Sequence, residues 1–269
     1  MLSKRRNIGL IHMNSDAQKK YDNLLALHGK EIPDEFDSDG VRWRKVRAFK
    51  HDFFAATGLY ESEKGRLAVL KIFRPYSYMG IPYGLLSRWQ AAHEEKVYKR
   101  LQDTDCVPKW IGRFQKTGII HEYVPGNDLS SKSILRDDFF NELEKLLKLM
   151  HGRGMSYLDT NKPDNILVGD DGKPYLIDFQ ITWVQPPFPL NILTYPLFCI
   201  FKDSDIYHLR KHIRKFSPGR ISDDEFEKMR PWYIKLHRLI ATPIRRKRRE
   251  YLRKVEKNAA HHPEGAERH

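Results

Sequence analysis

A chain of 269 residues with 40% apolar and 31% charged residues can bury one or two cores and is too apolar for a disordered polymer. The net charge of +13 points to an anionic partner (a nucleotide, nucleic acid, phospholipid surface or acidic glycan) without choosing among them. Cys106 and Cys199 lack ligand spacing and read as buried thiols in a reducing compartment, not as a disulfide framework or a metal site.

In chain order, residues 1–40 read as a polar N-terminal extension with one helix, "SDAQKKYDNLLALHG", capped by Ser15 and stopped at Gly29. "MLSKRRNIGLIHMNSD" is too short and mixed in its apolar part for a secretory signal, so a cytoplasmic protein is expected. Residues 41–124 carry short strand signals in "VRWRKVRAF", "FFAATGLYES" and "RLAVLKIF", then a helix in "LLSRWQAAHEEKVYKRLQ". Two more strands follow, in "KWIGRF" and "GIIHEYV". This order predicts a small antiparallel sheet with one helix packed on it.

Helices dominate residues 125–241. "DDFFNELEKLLKLMHGRG" places Phe139, Phe140, Leu143, Leu146, Leu147 and Met150 on one face, with an Asp cap and a glycine stop. "NILVGDDGKPYLI" is a strand, a turn and a strand, which brings Asn165 and Asp178 together at the hairpin's open end. The apolar run at 188–201, "FPLNILTYPLFCIF", is shorter than the ~20 residues that span a bilayer and holds prolines; it reads as core, with membrane contact as the alternative. Ser222 and Glu225 spell a capping box. Residues 242–269 form a basic helix, "PIRRKRREYLRKVEK", with a narrow apolar stripe, and a polar tail. That helix reads as a solvated element or as a patch for anionic lipid, placing the protein peripherally on the inner face of the membrane. Nucleic acid is a third partner, although no clear nucleic-acid motif is present.

Five motifs stand in one order: "AVLKIF" with Lys71, "HEEKVYKRL" with Glu94, "HEYVPG", "YLDTNKPDNILV" and "LIDFQ". In this order they resemble the protein-kinase-like superfamily. The resemblance implies an α+β bilobal fold, with an antiparallel sheet lobe followed by a mainly helical lobe. The short region after "DFQ" has no peptide-docking platform and is most similar to bacterial lipopolysaccharide-core sugar kinases, more distantly to RIO and aminoglycoside kinases. The implied chemistry is transfer of the γ-phosphate of ATP to a hydroxyl with Mg²⁺, a reaction that asks mainly for positioning and charge neutralisation.

The resemblance implies roles residue by residue. Lys71 holds the phosphates and Glu94 steadies it; Val69 roofs the adenine, whose edge meets the backbone of Glu122 and Val124. Asn165 and Asp178 hold Mg²⁺, Asp159 orients or accepts the hydroxyl proton, and Lys162 lies against the γ-phosphate. Three departures stand out. The interval from Asp159 to Asn165 is one residue longer than the family's H-R-D-x-x-x-x-N spacing. It is read as a bulge that keeps Asp159, the alternative register putting Thr160 at the base position. The glycine-rich loop is replaced by "AFKHDFFAATGLYE", where only Gly58 is available and Lys50 or His51 supplies charge. "DFQ" stands for D-F-G, which argues against regulation by flipping that segment.

The acceptor expected from these features is a sugar of a membrane-associated glycolipid. The alternatives are an atypical serine/threonine protein kinase and a non-catalytic nucleotide-binding module.

Overall fold

The structure, a computed structural model, describes residues 22–78, 80–130, 135–233 and 250. These fall into two compact units, one ending at Leu209 and the other starting at Arg210. The basic terminal helix expected after residue 242 lies outside the described residues apart from Glu250.

The first unit begins with a six-stranded antiparallel sheet: β1 (Glu35–Ser38), β2 (Val41–His51), β3 (Ala55–Ser62), β4 (Leu67–Phe73), β5 (Trp110–Phe114) and β6 (Gly118–Glu122). Its spatial order is β1-β2-β3-β4-β6-β5. The helix α1 (Tyr83–Arg100) follows β4. Cross-strand partners share a face, so the register sorts the side chains into two sets. Thr57, Lys71 and Ile119 lie on one face with Leu59, Val69 and His121; Ala56, Leu70, Ile72, Tyr60, Ala68 and Ile120 lie on the other.

That second face is closed by residues expected in the N-terminal extension. Leu27, Ile32 and Phe36 join Trp43, Tyr60, Leu70 and Ile120 in one apolar cluster. Hydrogen bonds fix the closure: Tyr60 Oη donates to the Pro33 carbonyl at 2.7 Å, and Arg74 Nη2 donates to the Asn23 carbonyl at 2.8 Å. Gly58 belongs to this back face. A Cβ there would stand 2.2 Å from Ile32 Cδ1 and 3.2 Å from the Arg47 carbonyl oxygen. The glycine thus admits the covering segment and is not a phosphate-contacting residue, which corrects the expectation placed on it.

After the sheet, β7 (Gly126–Asp128) leads to α2 (Phe139–Gly152). All six apolar residues predicted for its inner face are buried; each such side chain contributes roughly 1.5–3 kcal/mol of transfer free energy. The expected cap is not formed, because the Asp138 carboxylate takes Arg136 Nη2 at 2.6 Å instead of a helix N–H. Next come β8 (Met155–Ser156), β9 (Ile166–Gly169), β10 (Pro174–Leu176) and β11 (Trp183–Val184). β9 and β10 pair as the predicted hairpin, β7 adds to its edge, and β11 pairs with β8.

The long helix α3 (Leu190–Phe216) starts in the first unit and contains Pro196. Here the run at 188–201 departs from its reading as core. Phe198 is buried, whereas Phe188, Leu190, Ile192, Leu193, Tyr195 and Leu197 are exposed. In the second unit α4 (Asp223–Lys228) carries the predicted capping box: Ser222 Oγ accepts from the Glu225 N–H, and the Glu225 carboxylate accepts from the Ser222 N–H.

Candidate active site

β4 alternates its side chains, so Lys71 and Val69 face the same way while Leu70 and Ile72 enter the core behind them. α1 buries Ser87, Ala91, Glu94 and Val97 at helical spacing, and this brings Glu94 under Lys71. Lys71 Nζ lies 3.0 and 3.3 Å from the two Glu94 oxygens and 2.9 Å from Asp178 Oδ1. Burial alone would lower the Lys71 pKa, but the carboxylates of Glu94 and Asp178 outweigh it and the net shift is upward. Burial pushes Glu94 up to about 7, against the opposing pull of Lys71.

This sets a pH dependence. Between its ordinary value and about 7, Glu94 holds a proton in the folded chain that the unfolded chain releases, so its contribution to stability declines as pH rises through that window. The ion pair with Lys71 develops over the same window. Stability in chemical denaturation is therefore expected to fall as pH rises toward about 7, and a Glu94→Gln variant to lose that slope. Denaturation of both proteins across this range checks it; an unchanged slope in the variant assigns the titration elsewhere.

The hairpin delivers the remaining groups. Leu176 pairs with Ile166, and the Ile177 N–H donates to the Asn165 carbonyl at 3.1 Å, which sets Asn165 beside Asp178. Asn165 closes a 3-10 turn, Pro163–Asn165. Asn165 Nδ2 and Lys162 Nζ each donate to Asp159 Oδ2 at 2.7 Å, leaving Oδ1 for another donor. The longer spacing is absorbed by a turn, closed by the Lys162 N–H on the Asp159 carbonyl at 2.9 Å, that runs into the 3-10 turn. Thr160, the alternative at the base position, turns away, and its hydroxyl donates to Asp205 Oδ1 at 2.9 Å.

Asp178 has a left-handed backbone, φ 64°, and Phe179 beside it is fully buried. The Phe179 ring meets Tyr98 of α1 at 4.9 Å and Tyr157 at 5.6 Å, both edge-on. Packing on both sides holds Asp178 toward Lys71. Burial would raise the Asp178 pKa, yet the Lys71 ammonium outweighs it and holds the carboxyl below its usual range.

Asn165 and Asp178 suit a hard divalent cation. The amide commits its nitrogen to Asp159, which leaves its carbonyl oxygen as the one atom able to ligate, and Asp178 is an ionised carboxylate. Among the described residues no cluster of three or more His, Cys, Asp or Glu side chains forms a metal cage. An ion held by two protein oxygens and completed by water and phosphate is the manner of Mg²⁺.

One residue of the site has no assigned role in the sequence reading. Asp205, fully buried on α3, accepts five hydrogen bonds. Ser156 Oγ, the Tyr157 N–H and His151 Nε2 donate to Oδ2 at 2.6, 2.8 and 3.0 Å. The Leu158 N–H, at 2.8 Å, and the Thr160 hydroxyl donate to Oδ1. Leu158 is thereby held at φ 65°, uncommon for a non-glycine residue, immediately before Asp159. Its surroundings, "DIYHLRKH", give no local signal of this role.

The expected nucleotide contacts are placed less evenly. Val69 is buried on the Lys71 face. The Glu122 carbonyl accepts from His121 Nδ1 at 2.8 Å, its N–H donates to the Lys109 carbonyl, and its carboxylate meets Arg66 at 3.2 Å. No hydrogen bond links the Val124 backbone to other described residues. Buried His121 is neutral, since burial pushes its pKa down to about 4. Lys50 is exposed and pairs with Asp52 at 2.6 Å. His51 Nε2 accepts the Leu27 N–H at 3.1 Å and its pKa is lowered by burial, so it supplies no charge there, contrary to expectation.

Two solved structures of Rio2 kinase from Chaetomium thermophilum share the architecture. One, a complex with ADP, Mg²⁺ and phosphoaspartate, is 18% identical with a TM-score of 0.51, over 68% of this chain and 59% of that one. The other is 19% identical, also with a TM-score of 0.51, over 68% and 61%. This is a RIO-kinase-like bilobal fold. The chain thus spans about three fifths of the Rio2 chains it matches. No family model matches the chain, and no curated protein does.

Proposed function

We propose that the protein is an ATP- and Mg²⁺-dependent phosphotransferase acting on a hydroxyl. The observation that carries this reading is the convergence of Lys71, Glu94 and Asp178 from three separate elements, with Asn165 on the facing arm of the hairpin's open end and Asp159 bonded to it. Lys71 neutralises the phosphates and Glu94 fixes its position. Mg²⁺, when bound by Asn165 and Asp178, supplies further charge neutralisation on the phosphates. Asp159 Oδ1 accepts the proton of the acceptor hydroxyl as its oxygen bonds to the γ-phosphorus and the bond to ADP breaks. Lys162 stays within reach as a mobile positive charge. Val69 and the backbone of Glu122 and Val124 form the nucleotide's wall, with Lys50 at its outer edge. The ADP and Mg²⁺ of the Rio2 complex support the cofactor assignment.

For the acceptor we assign a sugar hydroxyl of a glycolipid. β11 returns directly to β8, and the segment passes into α3 without a platform for an extended peptide. An atypical serine/threonine protein kinase is the second reading, favoured by the likeness to Rio2 kinase. Incubation with γ-labelled ATP and separate glycolipid, protein and RNA pools decides between them. Label in the glycolipid fraction is expected; label in protein alone selects the second reading, and ATP binding without transfer to any pool reduces the site to a nucleotide-binding module.

A further inference from the structure

We propose that residues 188–197, at the start of α3, form an interfacial docking element that seats the protein on an anionic phospholipid bilayer. The segment is unusual for this chain. Residues 179–201 contain no charged side chain, where a composition of 31% charged residues would place about seven. The apolar groups there are not core: Phe188 is 77% exposed, Leu193 78% and Ile192 62%. Exposed apolar groups contiguous along a chain mark a surface that meets something else.

The form of the patch favours lipid over a protein partner. At 100° per residue, Leu190, Leu193 and Leu197 lie on one side of the helix, and Ile192 and Tyr195 on another. One flat or concave protein surface covers only part of such a circumference, whereas the acyl boundary of a bilayer closes around it. The first charge after the segment is Lys202, whose ammonium lies 5.7 Å over the Tyr195 ring and 5.1 Å over Phe198. A cation beside the exposed Tyr195 ring, on a chain of net charge +13, complements an anionic surface. No described helix is long and apolar enough to cross a membrane, so the element lies on the bilayer and does not span it.

The same helix carries Asp205, which holds the catalytic loop about 18 Å along the axis from Leu193. A docked element would therefore set the height of Asp159 above the lipid surface.

Flotation of the full chain with vesicles, without ATP, tests this separately from the kinase reading. One set of vesicles is pure phosphatidylcholine and the other holds about 30% phosphatidylglycerol. The protein is expected to float with the second set. Phe188→Ser with Leu193→Ser is expected to lower the partition coefficient about tenfold while leaving the thermal midpoint and the ATP-induced thermal shift unchanged. Leu190→Ser with Ile192→Ser is the independent pair should the first lower the midpoint. The proposal is overturned if both pairs partition like the wild type, since binding then rests on charge elsewhere. It is also overturned if the wild type floats with neither set, including the case of a dimer that the substitutions split, which would make a second copy the occupant.

Discussion

Asp178→Asn is expected to lower phosphate transfer about a thousandfold, equivalent to about 4 kcal/mol of transition-state stabilisation, while the chain still folds. The substitution keeps size and one carbonyl oxygen, so Lys71 retains an acceptor where Asp178 Oδ1 now stands at 2.9 Å. What disappears is the negative charge. Lys71 holds the Asp178 carboxyl below its usual pKa range, so that charge is present throughout the neutral range. An amide oxygen can still ligate Mg²⁺ but carries no charge, and with Asn165 already neutral the pair would offer the ion no anion. The magnesium concentration needed for half-maximal activity should rise together with the fall in rate. Circular dichroism and thermal melting separate this from misfolding, and the sign of the linkage sharpens the control. A depressed carboxyl pKa contributes stability above its unfolded value that is lost as pH falls through the folded one, so the stability difference between the two proteins should shrink under acid. A folded Asp178→Asn protein with near-normal transfer at low Mg²⁺ would remove Asp178 from the metal site.

Much of this site was legible in the sequence because its members stand on short, strongly patterned elements. The strand around Lys71 is a short, continuous apolar run, α2 has its six apolar residues at helical spacing, and the "GDDGKP" turn fixes the hairpin register that sets Asn165 beside Asp178. Long-range closure was not legible. Nothing local in "EIPDEFDSDG" shows that Ile32 and Phe36 cover the back of the sheet, or that Gly58 is small for Ile32 and not for a phosphate. His51 was read as a charge because its type allows one; its role as acceptor for the Leu27 N–H depends on a segment 24 residues away. The run at 188–201 failed for another reason. Apolar composition tells that a segment avoids water, not whether it does so inside this chain or against another surface. Asp205 was hidden by the same distance: its five donors lie 45 to 54 residues earlier.

Asp205 is accordingly the residue whose loss should separate positioning from chemistry. Asp205→Ala removes the acceptor for two buried backbone N–H groups, two hydroxyls and an imidazole, and is expected to cost about 3–5 kcal/mol in chemical denaturation. Asp205→Asn is the finer probe. Ser156 and Thr160 have hydroxyls that can turn to accept from an amide NH₂, but the N–H groups of Tyr157 and Leu158 cannot, and one of them must face a donor. If that one is Leu158, its left-handed backbone loses the contact that holds it, and Asp159 shifts with it. Displacement of a reacting group by about 1 Å costs on the order of a hundredfold in rate. The nucleotide side is built from β4 and α1, which Asp205 does not touch, so KM for ATP should stay near the wild-type value while kcat falls about a hundredfold. A general loss of packing would instead lower the thermal midpoint and change both constants together. Unchanged kcat in a folded Asp205→Asn protein would show that the catalytic loop holds its shape without this carboxylate, and that Leu158 is strained for some other reason.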